Sequence, residues 1–189
     1  MHHSQKLLGL GILGLTLLVV ACSSTAPYNV YERDINSGKQ LFRAGDYAQA
    51  KDDFLKAART ERRPEALALA ATACYKLNDL QGSAEYIAEA ERAGKANTAY
   101  FRIAGYKALV LLREGKKEEG MKVLGDYVQT YKNAFDSDSL WRVEHMWKSD
   151  AVDLPRMEVL IDQQVTEYET ALDWFSKTHT GSFDKGGWK

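Results

Sequence analysis

"LFRAGDYAQAKDDFLKAA", running from Leu41 to Ala58, is echoed twice further along the chain. The second copy is "CYKLNDLQGSAEYIAEAE", Cys74 to Glu91, and the third is "LLREGKKEEGMKVLGDYV", Leu111 to Val128. Laid together without gaps, Gly45, Asn78 and Gly115 coincide, as do Ala50, Ser83 and Gly120. Phe54, Ile87 and Leu124 share the next position, and Ala57, Ala90 and Tyr127 the last. The offsets are 33 and 37 residues, with the extra length falling in "RAGKANT". Gly or Asn at the first shared site can take the left-handed conformation that ends a helix. The small residue five positions on lets two antiparallel helices approach closely. The large apolar residue and the one three further lie on one face of the second helix. The phrase therefore predicts helix, turn, helix, three times over.

This pattern resembles the tetratricopeptide repeat, a helix–turn–helix of about 34 residues. Gly38 stands where that family has its first-helix glycine, and Leu41, Cys74 and Leu111 where it packs a bulky first-helix residue. Pro64 approximates the inter-repeat proline, while the early tryptophan is missing and Gly120 replaces the usual alanine. The resemblance implies an all-α, right-handed solenoid of about three helical hairpins over residues 30–133.

The last third does not continue the phrase. "FDSDSLWRVEHMWK" reads as a helix opened by Ser and Asp capping residues, with Leu140, Val143 and Trp147 on one face. "DLPRMEVLIDQQVTEYETALDWFSK" offers Asp153 as N-cap and Pro155 near the first turn. Met157, Ile161, Val165, Tyr168, Leu172 and Phe175 then form an apolar stripe. Solenoids need an atypical terminal element over the open end of the core, and residues 134–179 are expected to cap the last repeat in this way. Residues 180–189 lack periodicity and read as a loose tail, with Phe183 and Trp188 as possible contacts.

At the other end, "LGLTLLVVACSST" closes an uncharged run from Leu7 to Ala21, shorter than the roughly 20 apolar residues a membrane-spanning helix needs. A weakly basic start, a short apolar core and a small residue before Cys22 have the layout of an export signal over residues 1–21. Val19-Val20-Ala21-Cys22 resembles a bacterial lipobox, although the favoured leucine is absent. That resemblance implies lipidation of Cys22, a tether over residues 22–29 and, with Ser23 following, the outer membrane facing the periplasm in preference to the inner membrane. The alternative is an ordinary signal with a chance cysteine. Several acyl chains anchor firmly where one binds only marginally. Cys74 is then left without a disulfide partner and is expected to be a buried, small apolar residue.

Lys6 is the one charged side chain among the first 21 residues, so the rest keeps 24 of the 25 basic and all 26 acidic residues. This balance argues against nucleic acid as a partner. Asp52-Asp53 and Glu118-Glu119 are neighbours that diverge by about 100 degrees on a helix and cannot converge on one bond. The histidines at 2, 3, 145 and 179 show no metal-ligand spacing, and no phosphate loop or nucleophile elbow is present. Tyr100, Phe101, Tyr106, Tyr127 and Tyr131 read as packing residues. No catalytic residue, metal or cofactor is expected.

By the same resemblance, first helices line a concave face. Its positions map to Glu32, Ile35, Lys39, Phe42 and Arg43, to Glu65, Ala68, Thr72, Tyr75 and Lys76, and to Arg102, Gly105, Leu109, Leu112 and Arg113. Lys39, Phe42, Arg43, Tyr75, Lys76, Arg102, Leu109, Leu112 and Arg113 are the expected partner-binding set, suited to a peptide or helix carrying acidic groups. Lys39 stands where chaperone-binding repeats of this family have Asn, so their carboxylate clamp is not reproduced. The function expected is a lipid-tethered adaptor holding a protein partner in assembly of a pilus, secretion, outer-membrane or cell-wall complex. A structural subunit of such a complex, and a cell-wall enzyme whose site the sequence does not display, are the alternatives.

Overall fold

The computed structural model describes residues 27–94, 99–134, 138–149 and 152–178. The signal, Cys22 and the tail from 180 lie outside them. Among the described residues are eight α-helices and no strand: α1 Pro27–Arg43, α2 Tyr47–Thr60, α3 Pro64–Lys76, α4 Leu80–Ala93, α5 Tyr100–Arg113, α6 Lys117–Ala134, α7 Asp138–Lys148 and α8 Leu154–Thr178. Consecutive helices pair as hairpins, α1 with α2, α3 with α4 and α5 with α6. The second helix of each of these pairs also packs on the next first helix, α2 on α3, α4 on α5 and α6 on α7. This is a helical-hairpin solenoid. No described helix is long and apolar enough to cross a membrane.

The three aligned turns are the same object. Gly45, Asn78 and Gly115 have φ of 84°, 62° and 76°. At each turn the amide one residue beyond bonds back across five residues, Asp46 to the Leu41 carbonyl, Asp79 to Cys74 and Lys116 to Leu111, each at 2.9 Å. A second bond nests inside, from Gly45 to Phe42, Asn78 to Tyr75 and Gly115 to Leu112. The pair of bonds satisfies helix-end carbonyls that would otherwise be orphaned, and it needs a left-handed residue at its centre. The aligned core positions are equally consistent: Ala50, Ser83 and Gly120 are buried, as are Phe54, Ile87 and Leu124, and Ala57, Ala90 and Tyr127. Cys74 is fully buried, in the position that its alignment with Leu41 and Leu111 predicts.

The core divides in two. Tyr31, Ile35, Phe54, Ala57 and the α3 residues Ala66, Leu69, Ala70 and Ala73 form one cluster between the first hairpin and one side of α3. The larger cluster joins the other side of α3 to α4–α8. α3 belongs to both, and its alanine-rich sequence "PEALALAATACYK" lets helices approach it from both flanks.

The terminal pair breaks the pattern at its second helix: α7 packs on α6 as the earlier first helices do on the helices before them, but α8 turns back onto α5. The Asp153 carboxylate caps α8 by accepting from the Arg156 amide at 3.2 Å. Met157, Ile161 and Val165 of the predicted stripe are buried, whereas Tyr168, Leu172 and Phe175 are half-buried. α1 starts at Pro27, so the helix takes in the last three residues of the segment expected to be tether. Proline suits a first-turn position because its missing N–H would be unpaired there anyway.

Candidate functional site

The site is the row of first helices α1, α3 and α5 together with what lies on it. Much of that row is occupied by α8, which runs antiparallel to α3 and α5 and presents Glu158, Asp162 and Glu169 from one stripe. Positions i, i+4 and i+11 fall on a single helical face. Glu158 and Asp162 both accept from the Lys76 ammonium, at 2.7 and 2.5 Å. The Tyr75 hydroxyl donates to Glu158 at 3.2 Å, and the Tyr106 hydroxyl donates to Asp162. Seven residues after Asp162, Glu169 takes two parallel bonds from Arg102, Nε to Oε1 and Nη2 to Oε2, both 2.8 Å. Arg102 also donates to Thr72 Oγ1 at 3.3 Å, which ties α5 to α3 beneath α8.

Electrostatics follow from this enclosure. Burial alone would lower the pKa of the Lys76 ammonium, but its two carboxylate partners outweigh burial and hold it above the ordinary lysine value. Arg102 is held above its ordinary value in the same way, with Glu169 overcoming desolvation. The hydroxyls of Tyr75 and Tyr106 are pushed up first by burial and then by the neighbouring carboxylates. These groups all keep their neutral-pH charge states, and the two-point arginine–carboxylate bond is the strongest kind available between side chains.

Close backbone approach makes the seating possible. A Cβ on Gly105 would stand 2.7 Å from Ile161 Cγ2, so α8 rests directly on α5 at that glycine. Further along, the Tyr127 hydroxyl donates to Gln164 Oε1 and the Tyr131 hydroxyl to the Gln164 carbonyl, each at 2.8 Å. Phe101 meets Tyr168 edge-on, with ring centroids 4.6 Å apart.

The residues expected on an open face are therefore distributed differently. Tyr75 is fully buried, with the Arg113 guanidinium 4.7 Å above its ring and Tyr106 edge-on beside it. Lys76 and Arg102 are engaged by α8, and Leu109 is core. Leu112 is half-buried, and Arg113 reaches the Tyr75 carbonyl at 3.4 Å. Ala68 and Thr72 are buried as well. The first hairpin presents its part of the row more openly, and Arg113 at the end of α5 is also exposed. Lys39 pairs with Glu65 at 2.9 Å, Phe42 is half-buried edge-on against Tyr47, and Arg43 is exposed. Ile35 is buried and Glu32 lies 3.6 Å from Arg63.

Glu158, Asp162, Glu169 and Gln164 belong to the site, yet nothing singled them out in the sequence. The available signal was the acidic stripe beside the apolar one on α8, complementary in sign to Lys76 and Arg102. Two recesses accompany the row. One of about 270 Å³ lies between α4, α5 and α6 and is lined by Tyr100, Ile103, Val123, Lys107, Glu91 and Asp126 among others. The second, about 380 Å³, is bounded by Leu112, Lys117, Val152 and Leu154. Among the described residues no group of three or more His, Cys, Asp or Glu is placed to hold a metal ion. No family model, curated protein or solved structure matches this chain.

Proposed function

We propose that this chain is a non-enzymatic adaptor, tethered by lipid on Cys22 to the periplasmic face of the outer membrane, that holds a protein partner within an envelope complex. The observation that carries the reading is the seating of α8. A row of first helices that selects an acidic amphipathic helix, by Lys76 and Arg102 at the charges and Gly105 at the point of closest approach, is a helix-receiving surface. α8 fills that surface over the second and third hairpins, which leaves the first hairpin, with Phe42 and Arg43, as the stretch for an acidic segment of another protein. Lipidation rests on the lipobox-like Val19-Val20-Ala21-Cys22 and on the burial of the other cysteine.

A structural-subunit role draws support from a different observation. Trp141 on α7 and Val159 and Trp174 on α8 are each more than 60 % exposed, and large apolar side chains are commonly covered in an assembly.

Photo-cross-linking in intact envelopes separates these readings. A photoreactive residue at Arg43 is expected to capture a discrete protein, and Arg43→Glu with Phe42→Ala to abolish co-purification without loss of helix content. Adducts only from position 141 or 174 would replace the adaptor reading with the structural one. Absence of palmitate label on the wild-type chain, with Cys22→Ala as control, would remove the anchor.

A further inference from the structure

We infer that the end of the solenoid carrying the α2–α3 turn rests on the membrane surface, with Arg59 and Arg62 against lipid phosphates, and that the three left-handed turns point away from the bilayer. This rests on the lipoprotein reading above and adds an orientation to it. Only Ser23, Ser24, Thr25 and Ala26 separate Cys22 from the start of α1 at Pro27. Five peptide steps span at most about 17 Å even when fully extended. A lipidated Cys22 therefore holds the first turn of α1 next to the headgroups, whatever path those residues take.

The α2–α3 turn lies beside that first turn. The Arg63 guanidinium stands 4.4 Å over the Tyr31 ring, and the Tyr31 hydroxyl reaches Glu65 of α3 at 3.5 Å. The turn region reads Arg59-Thr60-Glu61-Arg62-Arg63. Its charges are layered. Glu61 is drawn inward by its ion pair with Arg63, and its side chain is 25 % exposed. Glu89 and Glu32 are 36 % and 37 % exposed, each paired to an arginine of this turn. Arg62, whose contact with Glu89 is 3.4 Å, is 66 % exposed, and Arg59 is exposed with no carboxylate partner among the described residues. The outermost charges of this turn are thus cationic, although the carboxylates behind them, and Glu91 in the last turn of α4 with its partner Lys107, balance the total. Guanidinium groups pair with phosphate through two parallel hydrogen bonds and gain most where anionic headgroups concentrate. α1, α3 and α5 run parallel, so the turns at Gly45, Asn78 and Gly115 all fall at the opposite end.

The test uses the full chain, lipidated in a bacterial host and reconstituted into phosphatidylcholine–phosphatidylglycerol vesicles that carry a nitroxide on the headgroup. A fluorophore goes on Ala88→Cys, next to the Glu89–Arg62 pair, or on Glu114→Cys, in the α5–α6 turn. Cys74 is buried and the lipid blocks Cys22. Quenching several-fold stronger at 88 than at 114 is expected, with Arg59→Glu plus Arg62→Glu erasing the difference. Equal quenching or stronger quenching at 114 overturns the orientation, and a difference that survives the charge reversal overturns the role of Arg59 and Arg62 in holding it. The mass of the amino-terminal fragment separates the two ideas: an unmodified Cys22 overturns the lipoprotein reading and this one with it, whereas a lipidated chain with equal quenching overturns the orientation alone.

Discussion

Arg102 and Glu169 meet across 67 residues of chain in a two-point pair, both bonds 2.8 Å, that fastens α8 to α5. Arg102 is 9 % exposed, so removing its partner strands a guanidinium away from water. Glu169→Ala is expected to cost about 3 kcal/mol, the lower part of the range for breaking a buried pair, because the Glu169 side chain keeps 30 % exposure. Arg102→Met with Glu169→Leu should recover most of that loss. Urea unfolding of the single and double variants measures both quantities.

Gly105 is matched to Ile161 in a way that leaves no room for a methyl group. Gly105→Ala should lower stability by about 1–3 kcal/mol despite the better helix propensity of alanine. The loss should shrink when Ile161→Leu is added, since the clash is with the Cγ2 branch, which leucine lacks. A thermal melt of the three variants tests this; equal melting of Gly105→Ala and wild type would mean that α8 sits further from α5.

Asn78 has φ of 62° in a turn where its two counterparts are glycine. The left-handed conformation costs a side chain about 1 kcal/mol, somewhat less for asparagine. Asn78→Gly should therefore raise the urea midpoint, while Gly45→Ala and Gly115→Ala lower it. Opposite signs would show that the turns are not equivalent in energy.

Burial, with the negative charge of Asp79 next in weight, pushes the Cys74 thiol from its ordinary 9.0 up to about 11. The unfolded thiol loses its proton first, so between about 9 and 11 the unfolded state binds fewer protons and stability falls as pH rises. Below 9 the thiol contributes no slope. Cys74→Ala should flatten the start of that part of the profile, leaving the loss from the buried tyrosines, which sets in near their ordinary value of 10.0 because burial raises Tyr106 and Tyr127 only in the folded chain. Denaturant titrations of both chains across this range give the difference.

The division of the core at α3 sets local stability. The first hairpin is held by a smaller cluster, and the ion pairs of Glu158, Asp162 and Glu169 on α8 go to α3 and α5. Amides of α1 and α2 should exchange with solvent sooner than those of α5, and Phe54→Ala should speed exchange in α1 and α2 far more than in α5–α8. Uniform acceleration along the chain would show that the two clusters open as one.

The three hairpins were legible because each is written locally. A turn that needs a left-handed residue, a small contact five positions on and an apolar pair on the following helix are all within 18 residues, and Gly45, Asn78 and Gly115 could be aligned by eye. The cap before α8 was legible for the same reason, in Asp153 and Pro155. The place of α8 was not. Its apolar stripe of Met157, Ile161 and Val165 fits the end of a solenoid or its first-helix face equally well. Burial pattern reports that a helix is covered, not by what. Lys76 and Arg102 looked like an invitation to a foreign acidic segment, yet the carboxylates that answer them lie 82, 86 and 67 residues away in the same chain. Such pairing depends on α7 packing against α6 and turning α8 back, a tertiary choice with no local signature.

The antiparallel return of α8 also imposes an order in time. During synthesis or export from the amino terminus, Lys76, Arg102 and Tyr106 arrive well before Asp162 and Glu169, so the hairpins must wait with cationic and aromatic groups uncovered. Ordinary repeat arrays can mature one unit at a time. This one closes only when its last helix arrives, and a chain interrupted ahead of Leu154 would keep three hairpins yet never seal.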